Sequence, residues 1–468
     1  MTSELSFHSK PIGSSGVQGR VTNKKPPLIP GRPVIGYLPE YRQDAVKLFR
    51  DMADRGGDIC RFRVGPRIVT LINDPELISH VLKTKWRQYP KSVNYEEVGL
   101  LLGGRLATSD GADWERFRKR SRAALGRKNF GALPKIIAES INDLLPLENM
   151  ISDHVQQLDV YELGMRLSAR ISSQLFFGSD IKEQTNTLEQ SLRKGFAFVS
   201  GRVEAMVRLP MWIPLPSHTA FKKNTRLVEG IVSDLIVRAR TGQARGSGML
   251  RDLILSAQED GDSEDQIDRE VLNEAVFLYI GSFETTGATV AWILFLLSTH
   301  PQILADLQAE LDTALGDDLV ELEDLSRLKL LGAIVQEALR LYPTIWLMSR
   351  TASEDDTLGG YHIDAGSMVM VSPYMLHRRA DLWPDPDAFR PERFLNAADW
   401  RRDGYLPFSL GPHACVGSHL ATVELQMITA SLLKNRRFKL CAGETGLHRS
   451  GVTLTPAGGL RMTVSRRV

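Results

Sequence analysis

Cysteine is scarce. Cys60, Cys415 and Cys441 are the only thiols in 468 residues. Three cysteines give no disulfide framework, and a reducing compartment is the simpler setting. Excess charge is also lacking: 58 Lys plus Arg against 56 Asp plus Glu leave a formal charge of +2. That balance argues against a general nucleic-acid binder. Glycine (38) and proline (23) are too sparse for a fibre or a low-complexity chain. The first 25 residues hold no apolar run of the signal-peptide kind. They read as a disordered polar leader, with residues 26–468 as the folded body. No internal repeat is found. Hydrophobic residues make up 43% of the chain, ample for a large core. Length alone suggests about three domains, but a large helical enzyme can run as a single unit.

One segment has the length of a membrane span. From Ala275 to Ala305 the only formal charge is Glu284, which sits among Ser282, Thr285, Thr286 and Thr289. A carboxylate at mid-membrane is costly. A helix apolar all round suits the centre of a large protein, and that is the expectation here.

Lys24 to Gly36 carries four prolines and reads as a stiff, extended lead-in. Ile59–Ile72 reads as a β-hairpin turning at Gly65-Pro66. Asp74 caps a helix opened by Pro75. Residues 88–108 read as a long loop, followed by a helix from near Asp110. Helical periodicity then dominates from Pro134 to Tyr342, with breaks near Pro210–Pro216, at Gly242–Gly248 and around Gly316. Short β-type runs come late, at Ile345–Thr351, Met368–Val371 and Val452–Val464, and residues 380–412 are loop-like. The fold class is mainly α, with a long central helix and small β-sheets.

The residues around Cys415 set it apart. Phe408 to Gly417 reads FSLGPHACVG, and a helix follows to about Leu433, with Leu420, Val423, Met427 and Ile428 on one face. A helix N-terminus favours negative charge and lowers a thiol pKa. Gly411 and Gly417 let the backbone turn around the sulfur. With no C-x-x-C partner, the layout suits one anionic sulfur ligand rather than a redox pair. A thiolate on haem iron favours O–O cleavage. For an isolated cysteine, a buried residue beside a turn is the alternative.

This decapeptide resembles the haem-thiolate signature of the cytochrome P-450 superfamily, Phe-x-x-Gly-x-Arg/His-x-Cys-x-Gly, with His413 in place of the usual Arg. The resemblance implies a single large P-450 fold, haem b (iron protoporphyrin IX) as cofactor and Cys415 as the axial ligand of its iron. It further implies that His413 contacts a haem propionate and that Phe408 packs beside the sulfur. Four more motifs stand in the family's order. Trp114-x-x-x-Arg118 shares one helix face and is similar to a propionate-binding element, and Arg350 matches a third propionate position. Glu337-Ala-Leu-Arg340 and Phe389-Arg-Pro-Glu-Arg-Phe394 imply a buried triad of Glu337, Arg340 and Arg393. Gly281-Ser-Phe-Glu-Thr-Thr286 resembles the oxygen-activation segment, departing from it at Ser282, where the family usually has Gly. Thr285 would donate to bound dioxygen, and Glu284 would relay protons. Ser282 would either bond back into its helix and bend it or crowd the bound oxygen.

The implied activity is insertion of one atom of O2 into a hydrophobic small molecule, a terpenoid or other secondary metabolite by analogy. Gly281, Ser282, Phe283, Thr289, Trp346, Leu347 and Val452 are expected to border the substrate pocket. The stretch after Cys415 is too short for a fused reductase. Electrons would come from a ferredoxin or flavodoxin with an NAD(P)H-dependent reductase, steered to a basic helix bearing Arg116, Lys119, Arg120, Arg122, Arg127 and Lys128. No nucleic acid, no membrane anchor and a cytoplasmic location complete the expectation. Competing readings are a peroxide-driven or isomerising haem-thiolate enzyme, a non-catalytic haem-binding sensor and a peripheral membrane enzyme.

Overall fold

The computed structural model describes residues 24–102, 108–149, 156–178, 184–205, 208–241, 248–315, 319–396 and 402–467. The expected leader lies outside the described residues up to residue 23. Lys24 and Lys25, placed within it by sequence, belong instead to the folded body. The Lys24 carbonyl accepts from His362 N–H at 2.9 Å, and Lys25 Nζ pairs with Asp364 Oδ2 at 2.5 Å.

Helices build the body. The longest, Glu264–Thr299, opens with a capping box between Ser263 and Gln266. It runs through the middle of the molecule and is buried on nearly every side, which accounts for its apolar composition. The apolar run from Ala275 to Ala305 noted by sequence is not one helix. It breaks at His300, and Pro301 opens the next helix, Pro301–Ala314. The helix Val160–Phe177 crosses the central helix at two glycines. A Cβ on Gly164 would stand 2.3 Å from the Gly287 carbonyl oxygen, so only glycine permits this approach. Further helices, Leu133–Leu144, Thr185–Glu204, Pro216–Arg240, Gly248–Glu259, Lys329–Leu341 and Ser418–Asn435, share one apolar core with it.

A second core lies beside a four-stranded sheet ordered Ile59–Val64, Arg67–Ile72, Met368–Val371, Met348–Thr351. Its first two strands are the expected hairpin, and the pairing of Arg67–Ile72 with Met368–Val371 is parallel. A three-stranded sheet joins Gln156–Asp159, Arg461–Arg466 and Arg436–Leu440. The segment 88–108 is not all loop: Asn94–Leu102 is helical and packs on the helix Thr185–Glu204. Of the expected break at Gly242–Gly248, residues 242–247 lie outside the described residues and Gly248 opens the helix Gly248–Glu259; Gly316 also lies outside the described residues.

Candidate active site

The thiol loop runs from Phe408 to Gly417 and delivers Cys415 three residues before the start of the helix Ser418–Asn435. Its turn is tight: Cys415 N–H donates to the Phe408 carbonyl at 2.8 Å, and Ala414 N–H to the Gly411 carbonyl at 3.0 Å. Gly411 has a φ of +73°, and a Cβ there would stand 2.1 Å from the Leu82 carbonyl oxygen. The loop thus lies directly against the segment His80–Thr84. Cys415 keeps accessible surface although the protein surrounds it, so the sulfur faces an inner opening. Burial raises its pKa, against the lowering expected from the helix terminus; the Gly417 N–H and the Arg118 guanidinium oppose burial without outweighing it. A thiolate at this position therefore calls for a bound cation, and coordination to a metal ion deprotonates a thiol outright.

Beside the sulfur loop, cations converge. Arg118 donates to the Ala414 carbonyl. The guanidinium of Arg350 lies over the Tyr95 ring and donates to its hydroxyl at 3.1 Å. Lys91 pairs backbone to backbone with Arg350 and donates through Nζ to the Ser109 carbonyl at 2.6 Å. Burial, then Lys91, Arg350 and Arg118, push His413 down to a pKa of about 3, so its ring is neutral. The ring packs against Trp114 (centroids 4.1 Å apart) and Trp86 (5.1 Å), which also touch each other at 5.4 Å. Both ring nitrogens are buried without a hydrogen-bond partner. Nε2 is 3.3 Å from Asp110 Oδ1, but the two are not aligned for a bond. Lys91 is itself lowered to about 8, first by burial, with Asp110 opposing and Arg350 and Arg118 adding to the fall. Three cations, an orphaned imidazole and one nearby carboxylate make a cradle for further anions. The two propionates of a haem are such anions, and the residues present fit them.

One stripe of the central helix keeps accessible surface beside this region. Phe277, Gly281 and Thr285 stand four residues apart, and a Cβ on Gly281 would meet nothing within 4 Å. Phe277 and Val416 both pack against the Trp114–Phe117 pair, which places this stripe next to the thiol loop. Thr285 Oγ1 donates to the Gly281 carbonyl at 2.7 Å. Glu284 points elsewhere: it accepts from Thr453 Oγ1 at 2.5 Å and from Tyr161 OH at 3.4 Å, and burial raises its pKa.

Glu337 and Arg340 are both fully buried, and their bidentate contacts measure 2.7 and 2.8 Å. Arg340 also donates to the carbonyls of His377, Pro386 and Ala388, so every N–H it has is used. Arg393 Nε and Arg390 N–H reach the same Glu337 oxygen at 3.4 and 2.9 Å.

A profile of the cytochrome P-450 family matches residues 26–459. The chain belongs to the cytochrome P-450 family. This P-450 is therefore an oxidoreductase of the monooxygenase class, with haem iron as cofactor, using O2 and a redox partner on a small molecule. It is 29% identical to cyclooctat-9-en-7-ol 5-monooxygenase of Streptomyces melanosporofaciens, over 83% of this chain and 84% of that one. Cyclooctatin synthase of the same organism is also 29% identical, over 87% and 88%. The chloroplastic protein LUTEIN DEFICIENT 5 of Arabidopsis thaliana is 25% identical, over 88% and 72%.

Several expected pocket residues of this P-450 are sealed. A side chain that lines an opening must keep accessible surface. Gly281, Ser282, Leu347 and Val452 do, whereas Phe283 (0% exposed), Thr289 (2%) and Trp346 (3%) do not. Phe283 stacks on Phe196, Thr289 bonds to Thr344, and Trp346 is wedged edge-on against Phe49 in the second core. The Ser282 hydroxyl lies 2.8 Å from both the Ser172 hydroxyl on the helix Val160–Phe177 and the Tyr279 carbonyl oxygen, so its one hydrogen is spent on helix packing. Arg120 was expected on a basic surface. It is instead wholly buried, bound to Asp260 and Asp262 at 2.7 Å each. Phe408 packs against the main core. Trp86 and Tyr161 were not found by sequence: neither falls in a motif, and only the folded chain brings them to the site.

Proposed function

We propose that this P-450 binds haem b and oxidises apolar, terpenoid-sized molecules, with electrons from a ferredoxin or flavodoxin and its NAD(P)H-dependent reductase, in the cytoplasm. The carrying observation is the cradle of Lys91, Arg118, Arg350 and His413 beside an inward-facing Cys415. In this reading Cys415 would supply the thiolate to the haem iron, and Trp114, Arg118, Arg350, His413 and Lys91 would hold the propionates. The Gly417 N–H supports the sulfur. When bound, the haem supplies reductive activation of dioxygen. Thr285, on the open stripe, orients water and donates a hydrogen bond there, and Glu284 restocks it with protons. Glu337, Arg340 and Arg393 brace the loops that lead into the thiol segment.

The substrate reading draws on the apolar Leu347 and Val452 and on the two Streptomyces relatives, whose names point to cyclooctatin chemistry. Terpenes, fatty acids and macrolides, each titrated into the ferric protein, test it. Terpenes are expected to give the largest spin-state shift; a shift from fatty acids or macrolides alone would overturn the substrate class. On the electron side, Lys119 and Lys128 are paired with Asp260 and Asp252. Arg122 and Arg127 are therefore the exposed charges best placed to steer an acidic donor. The hydroxyl of Ser282 is committed to the neighbouring helix, which leaves the isomerising alternative without support from that departure.

A further inference from the structure

His377 belongs to none of the motifs and is fully buried, just past the short helix Pro373–Leu376. Both of its ring nitrogens have partners, and the partners come from different parts of the fold. Nδ1 is 3.0 Å from the Arg340 carbonyl oxygen, and Nε2 is 2.8 Å from the Leu406 backbone nitrogen. A carbonyl only accepts and a backbone N–H only donates, so the ring is the neutral tautomer with its hydrogen on Nδ1. Burial pushes its pKa down to about 3; the bond to the Arg340 carbonyl opposes this, and the Arg340 and Arg378 charges add to it. The imidazole therefore stays neutral at any pH near 7.

Each partner is a group that its own element leaves over. Arg340 lies in the last turn of the helix Lys329–Leu341, where carbonyls have no intrahelical donor. Leu406 is buried in an irregular stretch, and a buried N–H without a partner is costly. Arg340 returns the contact, its Nη1 donating to the His377 carbonyl at 2.8 Å. Tyr405 stacks on the imidazole with centroids 5.3 Å apart, and its hydroxyl donates to the Gln336 carbonyl at 2.9 Å, one turn earlier on the Arg340 helix. From Leu406 the bonds continue toward the sulfur. Ser409 N–H donates to the Leu406 carbonyl at 3.2 Å, and Cys415 N–H to the Phe408 carbonyl at 2.8 Å. Ser409 has a φ of +65°, a conformation that a side chain disfavours, so this turn has to be held from outside.

We propose that His377 is a positioning residue for Cys415: its imidazole, seated on the Arg340 carbonyl, holds the Leu406 N–H and so fixes the start of the loop that presents the sulfur. Arg340, whose side chain is occupied by Glu337, thus reaches the thiol segment through its backbone and this ring. The accepting nitrogen Nε2 is the part that matters to the loop, and Nδ1 sets the ring's orientation. The consequence for the sulfur rests on the reading of Cys415 as the haem ligand, whereas the anchor itself is testable whichever group binds the iron.

The test compares three variants of the holoenzyme with wild type. His377→Gln keeps an acceptor where Nε2 stands. His377→Asn keeps a donor where Nδ1 stands and loses that acceptor. His377→Phe keeps the stacking on Tyr405 and loses both. Two rates are read at a temperature where the helical circular dichroism of each protein is intact: amide hydrogen exchange of the peptide 404–415, and decay of the red-shifted Soret band of the ferrous carbon monoxide complex. His377→Asn and His377→Phe are expected to speed both roughly tenfold, the effect of one lost hydrogen bond, while His377→Gln stays near wild type. Wild-type rates in His377→Asn and His377→Phe overturn the proposal, as does a His377→Gln protein that decays as fast as His377→Asn. Band decay that comes only with loss of the helical signal marks a merely global role and overturns it too. If His377→Phe does not fold, the comparison of His377→Gln with His377→Asn decides. A wild type without the red-shifted band is the separate failure of the haem-thiolate reading, and the exchange rates then still test the anchor.

Discussion

The His413 imidazole lies against the Trp114 indole, ring centroids 4.1 Å apart and planes inclined by 39°. Stacking fixes the ring, while both its nitrogens stay unbonded within the chain. The His413→Phe variant keeps the stacking and loses the donor. It should fold with near-normal stability yet lose haem faster to a scavenging apoprotein. A rate of haem transfer equal to wild type would show that His413 does not touch the cofactor.

Lys91 gives the cradle a pH signature. In protein stripped of haem its pKa lies at about 8, below the ordinary lysine value, with burial the largest cause. A lysine lowered on folding contributes stability above its unfolded pKa, and that contribution is lost as the pH falls from ~10 toward the folded value. Haem-free wild type should therefore lose stability as the pH drops from the alkaline side through about 8. Lys91→Met should flatten that slope by removing the charge. The same change should weaken haem retention, because an anion-binding cation is gone. Chemical denaturation at several pH values and haem-transfer rates measure the two effects; a Lys91→Met slope as steep as wild type would contradict the first.

Glu337 takes contacts from Arg340, Arg390 and Arg393 at no exposure to solvent. Glu337→Ala strands two guanidinium groups, and breaking such a buried pair costs roughly 3–5 kcal/mol. The expected outcome is a marked fall in melting temperature and haem-poor protein on purification. Full haem occupancy with an unchanged melting temperature would show that the triad does not brace the site.

The Ser282 hydroxyl bonds to Ser172 and to the Tyr279 carbonyl. Ser282→Gly therefore deletes helix packing and adds backbone freedom, at a combined cost of about 1–2 kcal/mol. The fraction of electrons diverted to hydrogen peroxide should stay near that of wild type. A large change in that fraction would mean that Ser282 acts on the oxygen side after all.

Much of this was legible in the sequence because it is local. The hairpin turn at Gly65-Pro66, the Asp74 cap and the thiol loop each fall within a short window, and their residue types carry the geometry. The family match over residues 26–459 bears out the resemblance drawn from the chain. What escaped depends on partners distant in sequence. Phe283, Thr289 and Trp346 were expected at the pocket because they sit among motif residues, but neighbouring elements cover them, whereas the Phe277–Gly281–Thr285 stripe keeps accessible surface. The direction of the Glu284 side chain is set by Tyr161 and Thr453, 123 and 169 residues away in sequence. Lys91 reaches the cradle from an irregular stretch with no periodic signal.

Thiolate ligation by Cys415 is the central claim, and the carbon monoxide difference spectrum of the dithionite-reduced protein tests it most directly. Wild type should give the strongly red-shifted Soret band of thiolate-ligated haem, and Cys415→Ala should lose that band. A Soret band of the histidine-ligated kind in wild type, or a red-shifted band that persists in Cys415→Ala, would contradict the account.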